Sequence, residues 1–342
     1  MNQTLKGFRD FGPEEMRVRN FLVSKLKNIF EEFGYSEIAT PTLEYKEVLT
    51  GKYGPEADQL MYLFEDRGGR SVGMRYDLTV PLARYIASNQ NTPMPFRRYQ
   101  IQPVWRADNT QRGRYREFVQ CDIDIVGASG EIADAEIISV FDKALREIGF
   151  KSFEVRVNSR EILIDLMKKT GIDESMWMST IQSIDKLDKK EKSEVISEII
   201  QKGVSEALVN RLFEEIDKAE PNESLNRIID ISKNLGAKNI VFDPTLSRGL
   251  DYYTGLVFEV KVLDANIGSV AGGGRYDNLI KALGGPDLPA VGGAFGFERI
   301  IDVATEIGGL LVTPKKRTVL VSGGAYEVAQ SLRDSGISTT VY

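Results

Sequence analysis

Two long strand-like runs, Phe96–Trp105 and Glu117–Gly127, flank an irregular link in FRRYQIQPVWRADNTQRGRYREFVQCDIDIVG. Runs of this length joined by so short a connection can pair only as antiparallel neighbours, because a parallel pair needs a crossover of a dozen or more residues. That commits the chain to a sheet with antiparallel strands. Other strand-like stretches follow at Met61–Phe64, Ser71–Arg75, Phe153–Val157, Asn239–Phe242, Leu256–Leu263 and Ile267–Ala271. Residues 13–34 read as an amphipathic helix, with Pro13 in its first turn, Glu14 and Glu15 at the positive end of its dipole and Gly34 past its end. Tyr35 to Thr40 reads as a short strand that Pro41 confines to an edge. Ala133–Gly149 is also helical by pattern. Strands and helices without regular βαβ alternation give an α+β fold.

From about Arg160 to Leu235 the helical pattern is nearly continuous, broken at Gly171, Gly203 and the turn at Glu220-Pro221-Asn222. Between Gly171 and Ala237 stand 14 acidic and 9 basic residues, so this block presents no evident basic face. Near the end of the chain, a strand at Thr318–Val321, Gly323-Gly324, a helix to about Ser335 and a strand at Ile337–Tyr342 make one β-α-β unit. Some 25 residues of that kind cannot bury both faces of their sheet, which leads one to expect an incomplete C-terminal α/β domain.

Composition narrows the chemistry. The chain has no histidine and one cysteine, Cys121. Imidazole acid–base catalysis, His- or Cys-clustered metal sites and an intrachain disulfide are thereby excluded, and a reducing compartment, the cytoplasm, is the expected location. A net charge of −6 argues against generic nucleic-acid binding. No stretch has the length of an apolar membrane span, and the start lacks an apolar signal core.

Four segments concentrate functional residue types. Arginines 97, 98, 106, 112, 114 and 116 fall within 20 residues, and alternate arginines of a hairpin would share a face suited to a polyphosphate; a solvated hairpin with surface ion pairs fits equally. Gln120, Asp122 and Asp124, spaced by two, share a face that is either a polar pocket wall or a half-exposed surface. In LSRGLDYYTGLVFEV, Arg248, Asp251, Tyr252 and Tyr253 crowd the entrance of an apolar strand, a composition suited to clamping a small polar ligand. AGGGRYD lets backbone approach closely but more often marks a tight turn, and VGGAFGFERI leads a glycine-rich strand into a helix carrying Arg299. The pair Gly323-Gly324 lacks the spacing of a dinucleotide loop.

Taken in order, these segments resemble one family. WRADNTQRGRYREFVQCDIDIVG resembles motif 2 of the class II aminoacyl-tRNA synthetases in the form found in histidyl-tRNA synthetases, and SRGLDYYTGLVFE and GGGRYDNL resemble the two histidine signatures of that family. The helix 13–34 through Pro41 is similar to motif 1, GAFGFERI to motif 3, and MRYDLTVPLARYIA to the intervening segment in its archaeal and eukaryotic style. The likeness runs from Lys6 to about Ala304.

The resemblance implies an antiparallel catalytic sheet flanked by helices in two parts, residues 1–159 and 237–310. It further implies a helical insertion at 160–236 and the start of an anticodon-binding domain at 316–342. It implies a ligase that joins histidine and ATP as histidyl-adenylate and passes the histidyl group to tRNA, working as a homodimer through motif 1. Arg106 and Arg248 would be catalytic. Asp77, Leu78, Thr79, Arg106, Gln120, Asp124, Arg248, Tyr252, Tyr253 and Tyr276 would bind histidine. Arg106, Arg114 and Arg299 would bind ATP, accompanied by Mg²⁺, with no metal site of the protein's own.

A synthetase paralogue serving as a regulatory subunit of ATP phosphoribosyltransferase is the rival implication, favoured by the short C-terminal unit. The presence of Arg106, Arg248, Arg299 and both tyrosines opposes it. A synthetase-like enzyme acting on another small acceptor is a third.

Overall fold

Strand alternation builds a sheet with one apolar and one polar face. The computed structural model describes residues 3–52, 58–111, 113–188, 190–248, 252–308, 318–323 and 325–341. Arg112, Asp251, Gly324 and Tyr342, and the domain limits at 310 and 316, lie outside the described residues. In chain order the strands are β1 (Ser36–Glu37), β2 (Leu43–Tyr45), β3 (Leu63–Glu65), β4 (Ser71–Met74), β5 (Phe96–Trp105), β6 (Glu117–Val126), β7 (Phe153–Ser159), β8 (Ile240–Phe242), β9 (Leu256–Val262), β10 (Ala271–Arg275), β11 (Ala290–Gly296), β12 (Val319–Val321) and β13 (Thr339–Val341). Eight of them form one sheet in the order β1-β5-β6-β11-β10-β9-β7-β8. Its ladders are antiparallel except where the short edge strands β1 and β8 join β5 and β7.

On one face Cys121, Ile123, Ile125, Phe258, Val260, Val291 and Phe295 pack into a core with residues of the helices Pro13–Glu32 and Glu131–Ile148. Aromatic rings tie the layers together: Phe141 of the second helix stacks on Phe295 with centroids 4.1 Å apart and meets Phe258 at 4.9 Å. Period two then forces Gln120, Asp122, Asp124 and Glu259 to the opposite face. That face carries the site.

The helical block comprises Arg160–Thr170, Glu174–Ile184, Lys192–Gln201, Glu206–Asp217 and Glu223–Asn234. Local chemistry explains its breaks. Ser159, Asp173 and Asn222 cap helix starts by accepting from the backbone N–H of Glu161, Ser175 and Leu225. Gly171 ends the first helix in the left-handed region at φ 82°, where a Cβ would be strained. The terminal β12-helix-β13 unit pairs its strands in parallel and leaves Leu320, Tyr326 and Val328 exposed.

Three local expectations need correction. The span Ile267–Ala271 is not a strand: pairing begins at Ala271, and residues 267–270 form a bend whose Ser269 serves the site. AGGGRYD is no tight turn, since Ala271–Arg275 is a central strand paired on both edges. Alternate arginines do not share a face; β5 holds only Arg97 and Arg98, and the other described members of the cluster lie in the link after it. The helix Thr79–Ser88 and strand β2 have no counterpart in the sequence-based expectation, whereas Met61–Phe64 and Ser71–Arg75 correspond to β3 and β4 of the small sheet β2-β4-β3.

Candidate active site

Glycines make the floor of the site. A Cβ on Gly292 would fall 1.9 Å from Oδ1 of Asp124, and one on Gly272 would fall 2.2 Å from Nη1 of Arg248. A Cβ on Gly274 would meet the Tyr253 ring at 2.9 Å and the Leu256 carbonyl at 2.3 Å. The side chains that matter therefore lie flat on β10 and β11 in space that any larger residue would fill.

Above this floor sits an inner chamber of about 100 Å³, bordered by Asp77, Thr79, Gln120, Asp124, Tyr252, Tyr253 and Tyr276, with Arg106 and Arg248 at its mouth. Its deep end is acidic and fixed. Arg98 and Asp124 face each other across β5 and β6, and Nη2 of Arg98 lies 2.7 Å from Oδ2 of Asp124 with both groups buried. The hydroxyl of Tyr276 donates a short hydrogen bond to the other carboxylate oxygen. Burial pushes the Asp124 carboxyl above its usual range, while Arg98 and Tyr276 pull it back. Arg98 also donates to the Leu78 carbonyl at 3.1 Å. Asp77 accepts from the Val80 N–H at 3.1 Å, which helps start the helix Thr79–Ser88.

Gln120 joins the two ends of the chamber, accepting from Nη2 of Arg106 at 3.2 Å and donating to Asp122 at 3.2 Å. Arg106 is held from three sides. Its Nε donates to the Tyr76 carbonyl at 2.9 Å, and its guanidinium lies 4.3 Å from the Tyr76 ring centre and 5.2 Å from that of Phe118. Tyr252 and Tyr253 meet edge-on with centroids 4.8 Å apart.

Beyond Arg106 and Arg248 opens an outer chamber of about 210 Å³, bordered also by Arg114, Phe118, Ser269 and Arg299. Here the charge is positive. Burial first, then repulsion from Arg114, with Arg248 and Arg106 contributing, holds the Arg299 guanidinium below its ordinary pKa. Its Nη1 donates to the Ser269 carbonyl at 2.6 Å. A helix residue that sequence would assign to the surface is thus turned into the chamber. Nη1 of Arg248 donates to Glu259 at 3.1 Å. Carboxylate pairing leaves the cluster with surplus positive charge, an arrangement that suits a polyanion.

The sequence profile described as Histidyl-tRNA synthetase matches residues 7–300, most of the chain and all of the residues that line the two chambers, and this decides the family. The chain belongs to the histidyl-tRNA synthetase family. It is 43% identical over 324 residues to the histidine–tRNA ligase of Aeropyrum pernix, covering 89% of this chain and 74% of that one. Superposition on the crystal structure of histidyl-tRNA synthetase from Nostoc sp. PCC 7120 gives a TM-score of 0.83 at 27% identity, covering 100% of this chain and 86% of that one. A Bacillus halodurans protein described as an ATP phosphoribosyltransferase regulatory subunit/histidyl-tRNA synthetase gives a TM-score of 0.84 at 23% identity, over 100% of this chain and 92% of that one. That last likeness shows the fold alone, so it does not favour the regulatory rival.

Of the residues that the resemblance assigns, Asp77, Thr79, Arg106, Gln120, Asp124, Arg248, Tyr252, Tyr253 and Tyr276 meet around the inner chamber, and Arg106, Arg114, Arg248 and Arg299 around the outer one. Leu78 borders neither; it is buried, and its carbonyl receives Arg98. Of the other arginines in the cluster, Arg97 pairs with Glu136 at 3.0 Å and Arg116 donates to the Asp108 carbonyl at 3.2 Å, both outside the pocket. Sequence reasoning missed the pairing of Arg98 with Asp124, having counted that arginine only in the cluster, and missed Tyr76, Glu259 and Ser269 altogether. Only the register of β5 on β6 could have exposed the first.

Breaking a buried ion pair from one side leaves an uncompensated charge. Arg98→Met should therefore cost about 3–5 kcal/mol of stability in urea denaturation. A loss below about 1 kcal/mol would mean that Asp124 does not depend on Arg98.

Proposed function

We propose that this chain is a histidine–tRNA ligase: it activates histidine with ATP to histidyl-adenylate and transfers the histidyl group to the 3′ end of its tRNA. One observation carries the reading. An acid-ended chamber and an arginine-lined chamber meet at Arg106 and Arg248, where an amino acid carboxylate and an α-phosphate would have to meet. The carboxylate oxygen attacks the α-phosphorus, the bond to the bridging oxygen breaks, and pyrophosphate leaves. Such a displacement needs positioning and fixed positive charge more than a proton shuttle, so a chain without histidine is equipped for it.

In this reading Asp77 and Thr79, with Gln120 assisting, take the substrate ammonium group. Asp124 accepts one imidazole N–H and Tyr253 addresses the other ring nitrogen, while Tyr252 and Tyr276 close the walls. A pocket built on buried polar groups rejects amino acids that leave them unpaired. Arg106 holds the carboxylate and α-phosphate, Arg248 neutralises charge developing on the α-phosphate, and Arg114 and Arg299 hold the β- and γ-phosphate end. Magnesium would arrive on the nucleotide, because it is bound mainly through substrate phosphates and keeps several of its waters.

The enzyme works in the cytoplasm as a homodimer through the motif 1 region. Leu43, Tyr45 and Phe64, which the register puts on one face of the small sheet just after that region in the chain, support the dimer because they leave exposed apolar side chains there. Residues 160–236 act as an insertion domain toward tRNA, and 316–342 as the start of an anticodon-binding domain.

Purified protein should exchange labelled pyrophosphate into ATP only when histidine is added. Arg248→Ala should lower that exchange by about a hundredfold or more while histidine binding stays measurable. Exchange that needs no histidine, or near-normal exchange in the variant, would contradict the reading. Sedimentation at micromolar concentration should report a dimer, and Phe64→Glu a monomer; a wild-type monomer would remove the homodimer.

A further inference from the structure

Arg248 is the only non-glycine residue with a positive φ, +55°, among the described residues. L-residues adopt this left-handed conformation rarely, so the surroundings must hold it. Much of what holds it comes from the helical block and the strand that leads into it. Asn158 of β7 donates to the carbonyls of Pro244 at 3.2 Å and Leu246 at 2.9 Å. The fully buried Ser247 hydroxyl donates to Asp185, just past the helix Glu174–Ile184, at 3.0 Å, with the Ile181 carbonyl at 3.3 Å. Nη2 of the buried Arg160, the first residue of the block, donates to the Arg248 carbonyl at 3.2 Å. At its other end the Arg248 guanidinium lies against Gly272 and meets Glu259 at 3.1 Å. The same side chain borders the inner chamber, the outer chamber and a cleft toward the block that Asp185, Leu187 and Asp188 line.

We propose that the helical block sets the pose of the Arg248 guanidinium, with Asp185 and Arg160 as positioning residues that act through the Ser247–Arg248 backbone. The role rests on the ligase reading of Arg248. If the backbone bonds to the block are lost, the residue relaxes toward extended backbone and its Cβ swings the guanidinium away from Gly272. Displacements of about 1 Å at a reacting centre reduce rates by up to about a hundredfold. A shift of the block, as when a nucleic acid leans on it, is then felt at the phosphate-binding arginine.

The experiment uses histidine-dependent pyrophosphate exchange by the full chain. Asp185 is half-buried, so its variants should fold. Asp185→Leu should lower kcat by about tenfold or more while leaving the KM for histidine within about twofold. Asp185→Asn, which keeps an acceptor for Ser247, should restore most of the rate. In an Arg248→Ala background, Asp185→Leu should add no further loss, because the two changes act on one group. Unchanged kcat in Asp185→Leu, failure of Asp185→Asn to restore it, or an equal loss in the Arg248→Ala background would each overturn the positioning role. No exchange by the wild-type chain would instead overturn the ligase reading.

Discussion

Strands β10 and β11 run so close beneath the polar face that they admit almost no side chains. Carbonyl oxygens, the Tyr253 ring, the Arg248 guanidinium and the Asp124 carboxylate occupy the positions where Cβ atoms of Gly272, Gly274 and Gly292 would project, and Gly273 and Gly293 fit against each other's strands. Close packing of this kind tolerates no added methyl group without movement. The glycines therefore do more than permit a turn: they let charged groups lie flat on the sheet, and this sets the separation between the acid end and the arginine end.

Electrostatics follows from that geometry. At the deep end the Arg98 charge faces a buried carboxylate and Tyr276 donates to it, which offsets part of the cost of its burial. At the outer end Arg299, Arg114, Arg106 and Arg248 repel one another, a cost the fold sustains through the Ser269 carbonyl, Glu259 and the rings around Arg106. Polyphosphate would relieve the repulsion. The remaining packing fixes the frame: Glu298, next to Arg299, accepts bidentately from Arg19 of the first helix at 2.8 and 2.7 Å and from Arg9 at 2.7 Å, so the N-terminal segment braces the helix that aims Arg299.

What sequence alone disclosed was the part encoded locally. Strands β5 and β6 were legible because long alternating runs flank the link, and the helical block because Gly171, Gly203 and Pro221 punctuate it. The helix Thr79–Ser88 escaped: Leu78 stands at its N-cap, and the Asp77 carboxylate that receives the Val80 N–H precedes it. Ile267–Ala271 has the composition of a strand, yet its carbonyl at Ser269 goes to Arg299 and its hydroxyl to Glu259, contacts with no local signature. The arginine cluster looked like one device, but its five described members divide among a buried carboxylate, a back-face pair, a loop carbonyl and the chamber. Such sorting depends on strand register, which flips faces at each residue.

The direct test is a crystal structure of the chain with histidine and a non-hydrolysable ATP analogue. The imidazole should lie in the inner chamber with one ring nitrogen about 3 Å from Asp124, the α-phosphate between Arg106 and Arg248, and the terminal phosphates by Arg114 and Arg299. An amino acid bound with its ring away from Asp124, or a nucleotide whose phosphates miss these arginines, would contradict the account.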